Sequence, residues 1–565
     1  MKPIIYQILT RLFGNTTEDC RLNGSRNRNG VGKMNDVSAK ALSEIRKFGI
    51  THIWYTGIIE HALVEGYPDY DIPDGNPLLI KGKAGSPYAI KDYYDVNPDL
   101  AVDVGRRIEE FQDLITRTHQ WDMKVIIDFV PNHLAREYHS DKKPYGIDDF
   151  GKNDDCSKAF AQNNNFYYRP NEYLVLPDEL LKEYPRINYY EYPAKATGND
   201  IFSAHLSKND WYETVKLNYG VDYLNDRSKH FNPVPDTWIK MEKVITYWAA
   251  MGVDAFRCDM AEMVPVEFWN WLIPFAKSKY PQLIFIAEVY DPNQYDNYID
   301  RGKFDYLYDK VGLYDTLKSV IQGTCWASAI SQSWQELNGK DAHMLRFLEN
   351  HDEQRIASRY FAGDPWKAIP AMIVTATLNK GPVMLYFGQE LGEAAEGVSG
   401  FSGDDGRTTI FDYWRVPEHQ KWMNRGKFDG GQLRASQREL RNRYREIIAI
   451  AQKDAVVNGE FYDLMWCNPH SDEFNHSKHY AYLRHSKNQN LLIVTNFDDR
   501  DREVRLRIPE HAFKLMGIDR NTNLRLEVNG AKLETIICEE FTENGKVFEL
   551  PKWGYFVCEI SEVRE

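Results

Sequence analysis

The 565-residue chain lacks the features that mark several large protein classes. It has no long basic cluster: 69 Lys and Arg stand against 83 Asp and Glu, a formal charge of −14. Nothing in it would neutralise a run of phosphates, so no nucleic-acid partner is expected, and a neutral substrate fits better. No apolar run reaches membrane-spanning length, so no membrane partner is expected either. Residues 1–10 lack the long apolar core and small-residue cleavage site of an export signal. The seven cysteines, Cys20, Cys156, Cys258, Cys325, Cys467, Cys538 and Cys558, are scattered and odd in number, with no CxxC pair. That argues against both a disulfide scaffold and a zinc site. Reduced thiols in a cytoplasm are the simplest account, the alternative being an exported protein whose signal has been removed. Oligomeric state is not legible.

What is present is the composition of a globular protein, 43% hydrophobic and 27% charged, at a length that exceeds one compact core. Two or three domains are expected. Short apolar segments at 3–8, 52–56, 124–130, 253–258, 283–287, 304–308, 345–348 and 383–387 read as eight strands. Between most of them lie stretches such as 104–118, 238–251 and 266–278, where apolar residues return every three or four positions, as in amphipathic helices. This alternation predicts an α/β fold, a (β/α)8 TIM barrel. The interval after the third strand is too long for one helix and rich in Asn, Asp, Tyr and Pro. It reads as an inserted domain, 134–234, so the barrel is discontinuous over 1–133 and 235–454. Beyond that, alternating runs at 479–484, 491–497, 503–508, 524–528, 547–550 and 555–560 predict a C-terminal antiparallel β-domain, 455–565.

Three acids close short apolar runs: Asp259 in Ala255-Phe256-Arg257-Cys258-Asp259, Glu288 in Phe285-Ile286-Ala287-Glu288 and Asp352 in Asn350-His351-Asp352. Acids at strand ends gather on the C-terminal face of a parallel barrel, and two converging carboxylates are the machinery of glycoside hydrolysis. Aromatics at 13% suit the same chemistry, because Trp and Tyr faces stack on sugar rings, though a large core uses them equally well.

In this order and context the sequence resembles the α-amylase family of glycoside hydrolases, family 13, over essentially its whole length. Asp128-Phe129-Val130-Pro131-Asn132-His133, residues 252–259, 285–288 and 347–352 look like that family's four regions. Residues 88–94 and Lys216-Leu217-Asn218 add subsidiary matches.

The resemblance implies that Asp259 is the nucleophile, with Arg257 keeping it ionised, and that Glu288 is the general acid and then base. In a retaining enzyme these two carboxyls lie roughly 5 Å apart. It implies that Asp352 binds the hydroxyls of the distorting sugar and that His133 and His351 donate to hydroxyls. Tyr88 would stack in the innermost subsite, with Asp92 either a further substrate-binding residue or a purely structural one, and Asp128 would be a buried partner of Arg257. It implies a structural Ca2+ with Asn132 as a ligand; acids such as Asp148-Asp149 and Asp154-Asp155 either complete that site or are solvated loop acids. No organic cofactor is expected. Met260-Ala261-Glu262-Met263 departs from the Lys and His found after the nucleophile in many family members, which puts the calcium contact there and substrate size in doubt. The expected function is retaining hydrolysis of α-1,4-glucosidic bonds in starch, glycogen or maltodextrin. The alternatives are an α-1,6-active or glucosyl-transferring relative and, from a different class, a non-enzymatic carbohydrate-binding protein.

Overall fold

The computed structural model describes residues 1–528 and 531–563. Eight strands, β1 (Ile4–Leu9), β2 (His52–Thr56), β3 (Lys124–Phe129), β4 (Ala255–Cys258), β5 (Ile284–Ala287), β6 (Tyr306–Tyr308), β7 (Met344–Phe347) and β8 (Val383–Tyr386), pair in parallel with their chain neighbours, and β8 closes on β1. All eight apolar segments of the sequence are barrel strands, differing only at their ends. They are apolar along their length because a covered parallel barrel buries both faces of each strand. The two-residue alternation sorts those faces. Ile5, Trp54, Ile126, Ala255, Ile286, Tyr308, Leu345, Phe347 and Met384 fill the barrel interior. Their neighbours Phe256, Cys258, Phe285 and Ala287 belong to the larger core under the helices.

Those helices include α1 (Arg107–His119), α2 (Asp236–Ala250), α3 (Val266–Lys279), α4 (Ile369–Thr377) and α5 (Ala435–Ala451). On α2 the stripe Trp238, Met241, Val244, Ile245 and Trp248 is buried, at the spacing that puts residues on one face. By contrast, every residue of α4 is buried, so it must be covered on more than one side.

Between β3 and α2 the chain forms three short antiparallel pairs and a short helix, Asp178–Glu183. One pair, His133–Ala135 with Thr214–Lys216, brings two distant parts of this segment together at the exit of β3. A second excursion, between β2 and β3, carries the antiparallel pair Ile59–His61 and Ile90–Val96, which the sequence reading did not separate from its loop.

The C-terminal region forms a six-stranded antiparallel sheet in the order Glu460–Asp463, His479–His485, Asn490–Asn496, Gly554–Glu562, Asn523–Val528, Ala531–Ile537. The first and last of these are strands that the sequence reading missed. Both are edges, and Glu460–Asp463 has no fully buried residue, so no apolar alternation announces it. Arg502–Leu506 and Lys546–Leu550, both expected as strands, form a separate two-stranded sheet among the described residues.

Candidate active site

Residues two apart on a strand share a face. Ala255, Arg257 and Asp259 therefore rise up the inside of the barrel on β4, as Ile126 and Asp128 do on β3 and Ile286 and Glu288 on β5. The ladder register fixes their heights, with Arg257 opposite Asp128 and Ile286. The result is one guanidinium among three carboxylates. Arg257 Nη1 donates to Asp259 Oδ1 at 2.6 Å and lies 3.6 Å from Asp128 Oδ1. Arg257 Nη2 lies 2.8 Å from Glu288 Oε2, as an ion contact without hydrogen-bond alignment. The guanidinium is only 1% exposed and sits over the rings of Trp54, Tyr88 and Tyr308 at 5.4, 5.3 and 5.5 Å. Such a dry cation interacts strongly with each acid, because little water screens it.

The acids differ in environment. Burial pushes the Asp259 carboxyl well above its ordinary value, Arg257 opposes this, and the neighbouring charge of Glu288 adds to the push. Asp128 is likewise raised by burial against Arg257, while accepting from Trp54 Nε1 at 3.0 Å and the Tyr88 hydroxyl at 3.3 Å. Burial also opposes the Asp352 charge, but the His351 ring, 3.0 Å away, outweighs it with help from Arg257 and holds Asp352 down at about 2. His351 is fixed from both nitrogens, by Gln7 Nε2 at 2.8 Å and the Tyr88 hydroxyl at 2.5 Å, and it stacks on Tyr88. His133 is pushed down to about 3 by burial and by the charges of Lys216 and Lys81, so near neutral pH it is an uncharged hydrogen-bonding ring.

Tyr88, His133, Asp259, Glu288 and Asp352 line one pocket of about 300 Å³. Arg257 and His351 stand directly behind them. Several lining residues were not named as candidates from the sequence, namely Trp211, packed edge-on to His133, Phe411, Tyr290 and the ion pair of Lys81 with Glu213 at 2.7 Å, and Met260, known only as a departure from the family pattern, lines the pocket too. Two of these handle Glu288. Met260, just past the end of β4, adopts a left-handed conformation with φ +44°, which is uncommon for a side-chain-bearing residue. Its amide donates to Glu288 Oε2 at 2.8 Å, and the Tyr290 hydroxyl donates to Oε1 at 2.6 Å. The only signal for Tyr290 in the sequence is its place two residues beyond Glu288.

Two expected site residues lie elsewhere. Asp92 is fully buried away from the pocket, and its carboxylate accepts from the amides of Tyr94, Asp141 and Lys142 and from the Ser140 hydroxyl. It ties the hairpin to the segment that follows Ala135 and is not among the residues lining the pocket. Asn132 does not fit a calcium ligand: its side-chain oxygen accepts from the Lys216 ammonium at 2.6 Å, and that ammonium also pairs with Asp200 at 2.6 Å. A divalent ion there would meet a buried positive charge. The acids expected to complete the site are committed to other partners, Asp148 to Lys152, Asp149 to Lys143, Asp155 to Lys158 and Asp154 to the amides of Asn165 and Phe166.

Carboxylates do converge at Glu60, Asp92, Asp95 and Asp141. There Asp95 is already clamped by Arg107, and Asp92 by the donors named above. Among the described residues no helix is long and apolar enough to cross a membrane.

A family model described as alpha amylase, catalytic domain, matches residues 7–425. Alpha-amylase 3 of Dictyoglomus thermophilum is 24% identical over 479 residues, covering 81% of this chain and 78% of its own. An alpha-1,4-glucan:maltose-1-phosphate maltosyltransferase of Picrophilus torridus is 23% identical over 264 residues, 46% of this chain and 31% of its own. Among solved structures, the alpha-amylase of Geobacillus thermoleovorans complexed with acarbose shares the fold with a TM-score of 0.62 at 18% identity, covering 100% of this chain and 99% of that one.

Proposed function

This chain belongs to the alpha-amylase family of glycosidases, and we propose that it hydrolyses α-1,4-glucosidic bonds of starch, glycogen or maltooligosaccharides with retention of configuration. The observation that carries the reading is the pair Asp259 and Glu288 sharing Arg257 at the base of one pocket, at 2.6 and 2.8 Å. Double displacement starts from a proton on one of these two acids, the general acid, with the other ionised as the nucleophile. Asp259, paired with the nearer guanidinium nitrogen, attacks the anomeric carbon. Glu288 gives its proton to the departing glycosidic oxygen and then takes one from the incoming water. Asp352, held ionised, accepts hydroxyls of the reacting sugar, bonds that strengthen as the ring distorts. Tyr88 offers its face to that sugar, neutral His133 offers hydrogen bonds, and His351 acts from behind by holding Tyr88 and Asp352. No step passes through a metal or an organic cofactor.

The relative named as a maltosyltransferase favours a second reading, glycosyl transfer by the same intermediate to a sugar acceptor in place of water. Cleavage of α-1,6 bonds is a further variant, which the product panel below separates. We assign residues 1–133 and 235–454 to the catalytic barrel, 134–234 to an inserted domain and 455–565 to a β-domain. The ladder from His133–Ala135 to Thr214–Lys216 supports the second boundary pair. Seven free cysteines support a reducing, cytoplasmic setting.

Two inversions make the first product α-anomeric. Proton NMR of early products from maltooligosaccharides, pullulan and isomaltose checks this and the linkage, and a β-anomeric first product sinks double displacement. Asp259→Asn is expected to fold and to lose several orders of magnitude in turnover, since an amide cannot form the glycosyl ester.

A further inference from the structure

The two oxygens of Glu288 are not equivalent. Oε2 accepts the Met260 amide at 2.8 Å and lies 2.8 Å from Arg257 Nη2, so a proton placed there would point at groups that are themselves donors. Among the described residues Oε1 has one partner, the Tyr290 hydroxyl at 2.6 Å, and both residues line the pocket. The proton that Glu288 transfers therefore resides on Oε1. We propose that Tyr290 is a positioning residue for this transfer, its hydroxyl holding Glu288 Oε1 in place and setting the upper pH limit of turnover.

A phenol suits both states of the carboxyl because it donates and accepts. As the proton leaves Oε1 for the glycosidic oxygen, the bond from that oxygen to the anomeric carbon breaks and an Asp259 oxygen bonds to the carbon. The Tyr290 O–H is then aimed at the new carboxylate. In the second half, water gives a proton to Oε1 while its oxygen displaces Asp259. Burial and the Glu288 charge push the Tyr290 phenol up, so it keeps its proton throughout. A hydrogen bond to a charged acceptor is roughly twice as strong as to a neutral one, so the phenol interacts more strongly with the carboxylate than with the acid.

This inference rests on the reading of Glu288 as general acid. Tyr290→Phe keeps the ring and removes the donor. The basic limb of kcat/KM is then expected to move up by about one pH unit, the scale of one charge-assisted hydrogen bond. Replacing Tyr290 with 3-fluorotyrosine, a stronger donor of nearly the same shape, is expected to move the limb down, and it keeps the test available should the Phe variant fold poorly. A limb that stays put in the folded variants overturns the proposal, since a merely structural tyrosine would lower activity without moving it. Glu288→Gln separates the two layers. If that variant turns over normally, the general-acid reading fails. If it is inactive while the limb ignores position 290, only the role of Tyr290 fails.

Discussion

Arg257 decides the behaviour of the site at the scale of single residues, because one desolvated guanidinium serves Asp128, Asp259 and Glu288 together. Its attraction for Asp259 opposes a burial that pushes this acid upward. A carboxyl whose value is raised loses its charge as pH falls through that raised value, so the nucleophile is silenced on the acid side at a pH above the ordinary aspartate value of about 3.9. Asp352, held down at about 2, stays charged through that range and is not the cause. The expected kcat/KM profile therefore has an acid limb with its midpoint above about pH 4. A profile flat down to pH 3 would show that the raised Asp259 value is wrong.

At the scale of elements, the exit of β3 is where the segment between β3 and α2 is fastened. Lys216, on the strand Thr214–Lys216, reaches across to Asn132 beside the partner strand and to Asp200 within the segment, with its side chain 2% exposed. Lys216→Met keeps the length but leaves Asn132 Oδ1 and Asp200 without their cation. Breaking one side of a buried pair costs about 3–5 kcal/mol. Because Asp200 is 30% exposed and recovers some hydration, a loss of about 2–3 kcal/mol in unfolding free energy is expected, read by denaturant titration. A calcium-dependent rise in melting temperature that vanishes in Asn132→Ala would reinstate the metal at this position.

On the scale of the whole molecule, the β-domain completes the barrel's own core. Helix α4 is buried all round, with the terminal sheet packed on it beside β7. Tyr482 in the sheet bonds Thr377 at 2.5 Å, and Arg484 reaches Leu378 O at 3.3 Å. Removing residues 455–565 uncovers the apolar side of α4, a contiguous patch of the kind that drives aggregation. The truncated chain is expected to be insoluble or to elute as large aggregates on gel filtration. A monodisperse, active 1–454 fragment would show that the catalytic barrel folds independently.

The sequence by itself determined the strands of the barrel and the acids at their ends, because both are local facts: an apolar run of the right length, and the residue that follows it. Amphipathic spacing likewise exposed α1, α2 and α3. Tertiary structure decided everything that depends on what comes opposite. Asp92 sits in a motif but is spent on the amides of residues 141 and 142, which are about fifty residues away in sequence. Asn132 has the right side chain for a metal and meets Lys216 instead. Edge strands such as Glu460–Asp463 pair on one side only and need no apolar alternation. Tyr290 and Met260 became legible only when β4 and β5 lay side by side, since the direction of a hydroxyl or a left-handed amide is set by the backbone around it and by the carboxylate it meets.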